Sequence, residues 1–415
     1  MKKTLLFSSF ILLAIISNGQ WIQQNSGSTH WFNSLCFTDQ NTGWICGNNG
    51  SDNMLIHTTD GGTTWTPQAI PTTSFLGEVS FFDANVGWAV GVGGLLMKSA
   101  DGGATWNTIT IATSKALQSI SFADANNGWI VGESGLIYKT TDGGTTWNTQ
   151  NSGTGNRLIR VKFLNSQTGW ACGWGGTILY TANGGTTWTV QTSGVTFDIL
   201  SISIIDAKNV WMSSVPPAKA DKSPLFDNGK IIHTSDAGTT WTVQYTSTEV
   251  LNGVSFVSLT EGWCFGSTGT IMHTTDGGAT WLPQVSGVTE QFVVGQFTDA
   301  MHGWAAGENG VIVATDNGGL TGVNEHGTGK TGISLTNEPN PFNANTMITY
   351  YIPQTSKVQI LISDVCGKTI AVPVDEEIQA GTHTISWNGS SLNAGVYFCT
   401  LKAGASSLTR KMIVK

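Results

Sequence analysis

Residues 128–147 read GWIVGESGLIYKTTDGGTTW, and both ends of this stretch recur along most of the chain. A Gly-Trp pair, or its variant Val-Trp, places Trp at 44, 88, 129, 170, 211, 263 and 304. A turn-rich box follows each of the first six: TTDGGTTW (58–65), SADGGATW (99–106), TTDGGTTW (140–147), TANGGTTW (181–188), TSDAGTTW (234–241) and TTDGGATW (274–281). The seventh copy reads ATDNGGLTG (314–322) and has no Trp. From Trp88 to Trp129, Trp170 and Trp211 the step is constant, the regular spacing of a repeat architecture.

Each unit reads as four short strands. The first alternates, as in EVSFF (78–82) or SISFA (119–123). The second carries GWxxG, the third is GLIYKT-like (135–140), and the fourth starts at the box Trp. Such strands, parted by Gly, Asn and Asp turns, suit antiparallel meanders. Four strands per period of this length make a propeller blade, which buries both faces only when neighbours pack against it. The expectation is an all-β, seven-bladed propeller. The tails WNTQNSG (147–153), WTVQTSG (188–194) and WLPQVSG (281–287) match WIQQNSG at 21–27, so that segment should be the fourth strand of blade seven, with Trp21 supplying the missing Trp.

In the box, an Asp can accept hydrogen bonds from nearby backbone N–H groups while Gly supplies positive φ. Asn183 can do the same acceptor work. Asp60, Asp101, Asp142, Asn183, Asp236 and Asp276 are therefore read as structural. A calcium loop needs several oxygens at alternating positions, which these boxes do not supply, so no metal is expected. The Gly-Trp tryptophans are read as core. His57, His233 and His273 share one position in three blades, a packing or surface position rather than a metal site.

Before the repeats, Lys2 and Lys3 precede an apolar run from Leu5 to Ile16 and then Ser17-Asn18-Gly19, a signal-peptide pattern over 1–19. The run is too short to cross a bilayer, and no other segment is a transmembrane candidate. A net charge of −8 argues against nucleic acid, whose phosphates need a basic face. Six Cys show no metal-type spacing. Cys36 with Cys46, and Cys366 with Cys399, either pair or stay buried thiols. Cys172 and Cys264 have no obvious partner.

The pattern GWxxGxxGxIxxTxDGGxTW resembles the Asp-box (BNR-type) repeats of the photosystem II stability/assembly factor-like propellers, over roughly residues 21–321. The resemblance implies the fold and leaves function open, because relatives include assembly factors, sortilin-like receptors and glycosidases.

Domain boundaries follow as 20–321 for the propeller, 322–333 for a polar Gly-rich linker and 334–415 for a second unit. Its runs TMITYYI (346–352), SKVQILISD (356–364), GTHTISW (381–387) and GVYFCTLKA (395–403) suggest a small immunoglobulin-like β-sandwich. This unit resembles the type A C-terminal sorting domain of the type IX (Por) secretion system. The matching residues are Pro339, Asn340, Pro341, Phe342 and Asn343, then Asp364 to Gly367 and Lys368, then Gly395, Val396 and Tyr397, and finally Lys411 to Lys415. The resemblance implies passage through the periplasm, the type IX machinery as partner, and a secreted or outer-membrane-surface location in a Gram-negative bacterium. A plain adhesive β-sandwich is the alternative.

A sialidase-like site needs three Arg converging on a carboxylate. Only Arg157, Arg160 and Arg410 exist, the first two read on one strand and the third in the other unit. Asp52, Glu78, Glu133, Asp198 and Glu308 stand near the expected ligand face, and sequence alone does not pair them. No catalytic residue and no cofactor are expected. Residues that break the repeat are free of its structural demand. In the loops between strands two and three, Val92, Glu133, Thr268 and Asn309 are small or polar, whereas blade four has Trp174. Before the first strand the aligned residues are Trp31, Phe75, Ala116, Arg157, Asp198, Val250 and Gln291. Trp31, Phe75, Arg157 and Trp174 are the ligand-face candidates, against the alternative that they pack on neighbouring loops. The long blade-five loop 213–230 is a further place where function could sit. The expectation is an exported, monomeric, non-catalytic propeller that binds protein or glycan; the alternatives are a carbohydrate-active hydrolase and a periplasmic assembly or stability factor.

Overall fold

The computed structural model describes residues 21–216, 229–319, 333–364, 368–404 and 406–415. The expected signal peptide, most of the expected linker, Gly367 and most of the blade-five loop lie outside the described residues. The repeats fold into seven four-stranded antiparallel sheets, blades I to VII, each in chain order from first strand to fourth except the last. The first strands are Trp31–Phe37, Leu76–Phe81, Leu117–Phe122, Leu158–Phe163, Asp198–Ile204, Leu251–Phe256 and Phe292–Phe297. Each touches the first strand of the next blade, and Phe292–Phe297 touches Trp31–Phe37, so these strands form the inner ring. The third strand starts later than its sequence motif, at Ile137 in blade III, and the fourth starts one residue after the box Trp, at Asn148.

Blade VII takes its outer strand from the front of the chain. Ile22–Gln24 pairs with Ile312–Thr315 in the register Ile22 to Ala314, Gln23 to Val313 and Gln24 to Ile312. Trp21 is 3% exposed. Its Nε1 donates to Gln284 Oε1 at 3.0 Å, as the box Trp188 donates to Gln150 at 3.1 Å and Trp65 to Gln24 at 3.1 Å. Trp21 thus sits where a box Trp sits in the other blades.

The GWxxG motif is explained by packing. A Cβ on Gly128 would lie 2.6 Å from the Phe122 ring, and one on Gly132 would lie 2.3 Å from the Ala116 carbonyl oxygen. Only Gly fits either place. Blade V shows the rule by its exception: Val210 replaces the first Gly, and Ile204 replaces the Phe opposite it. The Trp between the glycines locks two blades together. Trp129 stacks on Phe163 of blade IV at 3.4 Å, and its Nε1 donates to the box carbonyl of Gly184 at 3.2 Å. Trp304 does the same from blade VII to blade I, stacking on Phe37 at 3.6 Å and donating to Gly61 at 3.0 Å.

The second unit is a sandwich of a three-stranded sheet (Ser334–Glu338, Asn345–Ile352, Gly381–Asn388) and a four-stranded sheet. The latter runs Thr369–Ile378, Ser356–Ser363, Gly395–Ala403, Ser406–Val414 in spatial order. Ile348, Ile352, Val358, Ile360, Leu401 and Met412 are fully buried between them.

Candidate functional site

A blade presents two faces. One carries the boxes and the turns after the first strands. The other carries the short turns between strands two and three, with the links from one blade to the next. On this second face, in blades II, III, IV, VI and VII, the residue just before the first strand accepts an N–H from the turn: Phe75 from Val92, Ala116 from Glu133, Arg157 from Trp174, Val250 from Ser267 and Gln291 from Glu308. This register corrects the alignment made from sequence. Ser267 and Glu308, not Thr268 and Asn309, occupy the place of Trp174. Thr268 and Asn309 come one residue later and hold φ of +53° and +55°, which the turn demands.

The structure brings Arg157 and Trp174 together. The guanidinium lies over the indole at 5.4 Å, in reach of a cation–π contact. Trp174 remains 48% exposed, and Arg157 Nε is buried without a hydrogen-bond partner. Asp198 accepts the N–H of Gly175 at 2.9 Å, which fixes the Trp174 turn to blade V. Next to Asp198 in sequence, Phe197 carries the Lys230 ammonium at 4.8 Å over its ring. Sequence reading missed Phe197 and Lys230, since neither falls at a repeat-breaking position that alignment exposes. Trp31 and Phe75 are not part of this cluster. Trp31, 38% exposed, opens blade I, and the half-buried Phe75 precedes blade II.

Two other expectations change. Arg157 and Arg160 are not side by side on one strand: Arg157 precedes Leu158–Phe163, while Arg160 lines the central channel. Glu78 is also in the channel and not on the face carrying Trp174, accepting the Ile120 N–H at 2.7 Å. Glu133 turns back onto its own blade and accepts the N–H of Ala116 at 3.1 Å.

The boxes share one hydrogen-bond geometry. Asp142 Oδ1 accepts from Thr140 Oγ1 at 2.7 Å and from the Thr146 N–H at 2.9 Å, and Oδ2 accepts from Thr146 Oγ1 at 2.6 Å. Asp60, Asp101, Asp236 and Asp276 repeat this pattern. Asn183 substitutes fully: Oδ1 accepts the Thr187 N–H at 2.9 Å, and Nδ2 donates to Thr187 Oγ1 at 2.9 Å. In blade VII the acceptor is Asn317, bonded by Thr315 Oγ1 at 2.8 Å. His57, His233 and His273 stack on the Gly-Trp indoles at 4.7, 4.2 and 4.5 Å. Lys98 and Lys139 take the same position over Trp88 and Trp129. Burial depresses the pKa of His57 and His233. Among the described residues no group of three or more metal-ligating side chains converges. Cys36, Cys46, Cys172, Cys264 and Cys399 are free thiols, and Cys366 lies outside the described residues.

In the sandwich, the sequence motifs meet in space. Asn340 Nδ2 donates to the Lys411 carbonyl at 2.8 Å, and Asn340 Oδ1 accepts the Ile413 N–H at 2.8 Å. Phe342 N–H donates to the Ile413 carbonyl, and Lys415 N–H donates to the Phe342 carbonyl. Pro339 accepts a bond from Thr346 Oγ1 at 2.9 Å, and Pro341 places the buried Phe342 beside that strand. Gly395 pairs with Val414, Tyr397 Oη donates to the Asn393 carbonyl at 3.0 Å, and Lys368 N–H donates to Asp364 Oδ1 at 2.9 Å.

A ring of blades stapled by box and Gly-Trp motifs defines an Asp-box propeller. The family model described as photosynthesis system II assembly factor YCF48 matches residues 14–111, 63–151 and 242–324, and the chain belongs to this family. A model described as a secretion system C-terminal sorting domain matches residues 339–415, so the chain carries a type IX sorting tail, which implies secretion. Among solved structures, YCF48 bound to D1 peptide is similar with a TM-score of 0.58 and 21% identity, over 71% of this chain and 95% of that one. YCF48 from Cyanidioschyzon merolae gives 0.57 and 21%, over 71% and 98%. The structure of U3-55K gives 0.57 at 11% identity, over 71% and 98%, a likeness of fold alone. No curated protein matches the chain. No helix of the described residues is long and apolar enough to cross a membrane.

Proposed function

We propose that this protein is an exported, non-catalytic propeller over about residues 20–321 that binds a protein segment on the face carrying Trp174, with the unit from about residue 334 onward serving as its secretion signal. The observation that supports this reading is the Arg157–Trp174 pair. It combines a half-exposed indole with a guanidinium whose Nε has no partner, and aromatic and Arg side chains carry most recognition energy. Lys230 and Phe197 would extend the surface, and Trp31 and Phe75 would form a separate, weaker contact. One solved member of the family is bound to a peptide, which favours an extended protein segment over a glycan. Peptide and glycan arrays probed with the mature chain test this. The expected result is a set of peptides whose affinity falls about tenfold or more with Trp174→Ala and with Arg157→Ala. Ligands that bind both variants as tightly as the parent would overturn the assignment, and turnover of a glycan would overturn the non-catalytic reading.

A further inference from the structure

The inner strands enclose a central channel of about 520 Å³. Their channel-facing edges carry N–H groups with no neighbouring strand in their own sheet, and unpaired buried N–H groups are costly. The repeat solves this with side chains. Ser34 and Cys36 accept the N–H groups of Val79 and Phe81 in the next blade. Ser119 and Ser121 accept those of Val161 and Phe163. Glu78, Ser201, Ser203, Ser255 and Gln296 do the same, so six of the seven junctions are served. The junction from blade IV to blade V is the exception. Its two positions hold Arg160 and Lys162, which have no lone pair to offer.

The ring therefore gains nothing from these residues that it gains from the others. Arg160 Nη1 stands 3.8 Å from Glu78 Oε1, beyond a hydrogen bond, with its side chain 18% exposed. Lys162 is exposed and makes no hydrogen bond or ion pair among the described residues. On either side, Ser121 and Ser203 accept an N–H and keep their hydroxyl protons to donate. Four donors thus line the channel, Lys162, Ser121 and Ser203 toward its mouth on the box face and Arg160 two residues deeper, and two cations exceed the one carboxylate. Phe82 and Leu164, both exposed, lie on the lining at that mouth.

We propose that this mouth is a binding site for one small anion, a carboxylate or an inorganic oxyanion, held by Lys162 and Arg160 with Ser121 and Ser203. The site is separate from the Trp174 face and independent of it. The experiment is calorimetric titration of the mature chain with sodium acetate and with sodium sulfate at fixed ionic strength, with chloride as the balancing salt. A single saturable site is expected, weakened about tenfold by Lys162→Gln and unchanged by Lys115→Gln, an exposed lysine in a blade link. Saturation by acetate alone assigns the site to carboxylates, and saturation by sulfate as well assigns it to small oxyanions in general. Absence of saturable heat with either salt overturns the proposal. So does equal binding by the Lys162→Gln variant, whose fold is checked by circular dichroism.

Discussion

Each box carboxylate lies on the surface, yet it is a fixed structural acceptor. The hydroxyl of Thr146, then its N–H, then the hydroxyl of Thr140 hold the Asp142 pKa down to about 2. Asp276 is lowered to about 2 by the corresponding Thr280 and Thr274 bonds, and Asp236 to about 2 by the N–H and then the hydroxyl of Thr240. A depressed folded-state pKa stabilises the native state above the ordinary carboxylate range, and that contribution disappears as pH falls toward the folded value. Thermal midpoints should therefore drop between about pH 4 and about pH 2. The triple variant Asp142→Asn, Asp236→Asn, Asp276→Asn should flatten this drop, because Asn183 already makes the same bonds with a group that does not titrate. An unchanged acid slope measured by scanning calorimetry would remove the boxes from the account. The half-buried His57 and His233 act in a higher window. Their lowered pKa means that the unfolded chain binds the proton first, so stability also declines as pH falls below about 6.5.

At the scale of the element, the sandwich ends on a strand that depends on a motif over seventy residues earlier in the chain. Asn340 offers both atoms of its amide to Lys411 and Ile413, and Phe342 bridges to Val414 in parallel. The Pro-Asn-Pro-Phe segment and the Lys-Met-Ile-Val-Lys tail are thus one local structure. Asn340→Ala removes both bonds and should cost about 1–3 kcal/mol in the stability of this unit, with the amides of Lys411 to Lys415 losing protection first in hydrogen exchange. Asn340→Asp keeps an acceptor for Ile413 and should lose less. Equal protection of the tail in wild type and Asn340→Ala would refute the clamp. Such pairings were not legible in the sequence, where the two motifs are separate matches. The blades were legible because Gly, Trp and Asp each answer a local demand that recurs at a fixed step. The proposed ligand face was legible only in part: Trp174 and Arg157 stood out by breaking the repeat. Arg160 and Lys162 did not, because the rule they break, a side chain accepting the next blade's N–H, is a contact between strands about forty residues apart.

At the scale of the molecule, stability rests on closing a ring. Blades I to VI each complete their own sheet, and blade VII completes its sheet with residues from the front of the chain. The closure has three parts. Ile22–Gln24 pairs with Ile312–Thr315. Trp21 meets Phe265 of blade VI and Phe297 of blade VII edge-on at 6.1 and 5.6 Å. Gln24 then reaches forward into blade I, donating to the Gly61 carbonyl at 2.8 Å and accepting from Trp65 at 3.1 Å. One short segment therefore ties blades VI, VII and I together. Removing the Trp21 ring leaves a cavity among Phe265, Phe297 and Val313 and strands Gln284 Oε1, so Trp21→Ala should cost about 3–5 kcal/mol. Ile22→Ala, one residue on and 65% exposed, should change stability by about 0.5 kcal/mol or less. Deleting residues 21–27 should do more than Trp21→Ala, because it also exposes the edge of Ile312–Thr315 and favours self-association through that strand. Chemical denaturation of the three variants, with light scattering to follow association, checks the order. If the deletion proves as stable as Ile22→Ala, closure resides in the Trp304 staple to Phe37 and Gly61 instead, and Trp304→Ala in the deleted background should then unfold the propeller.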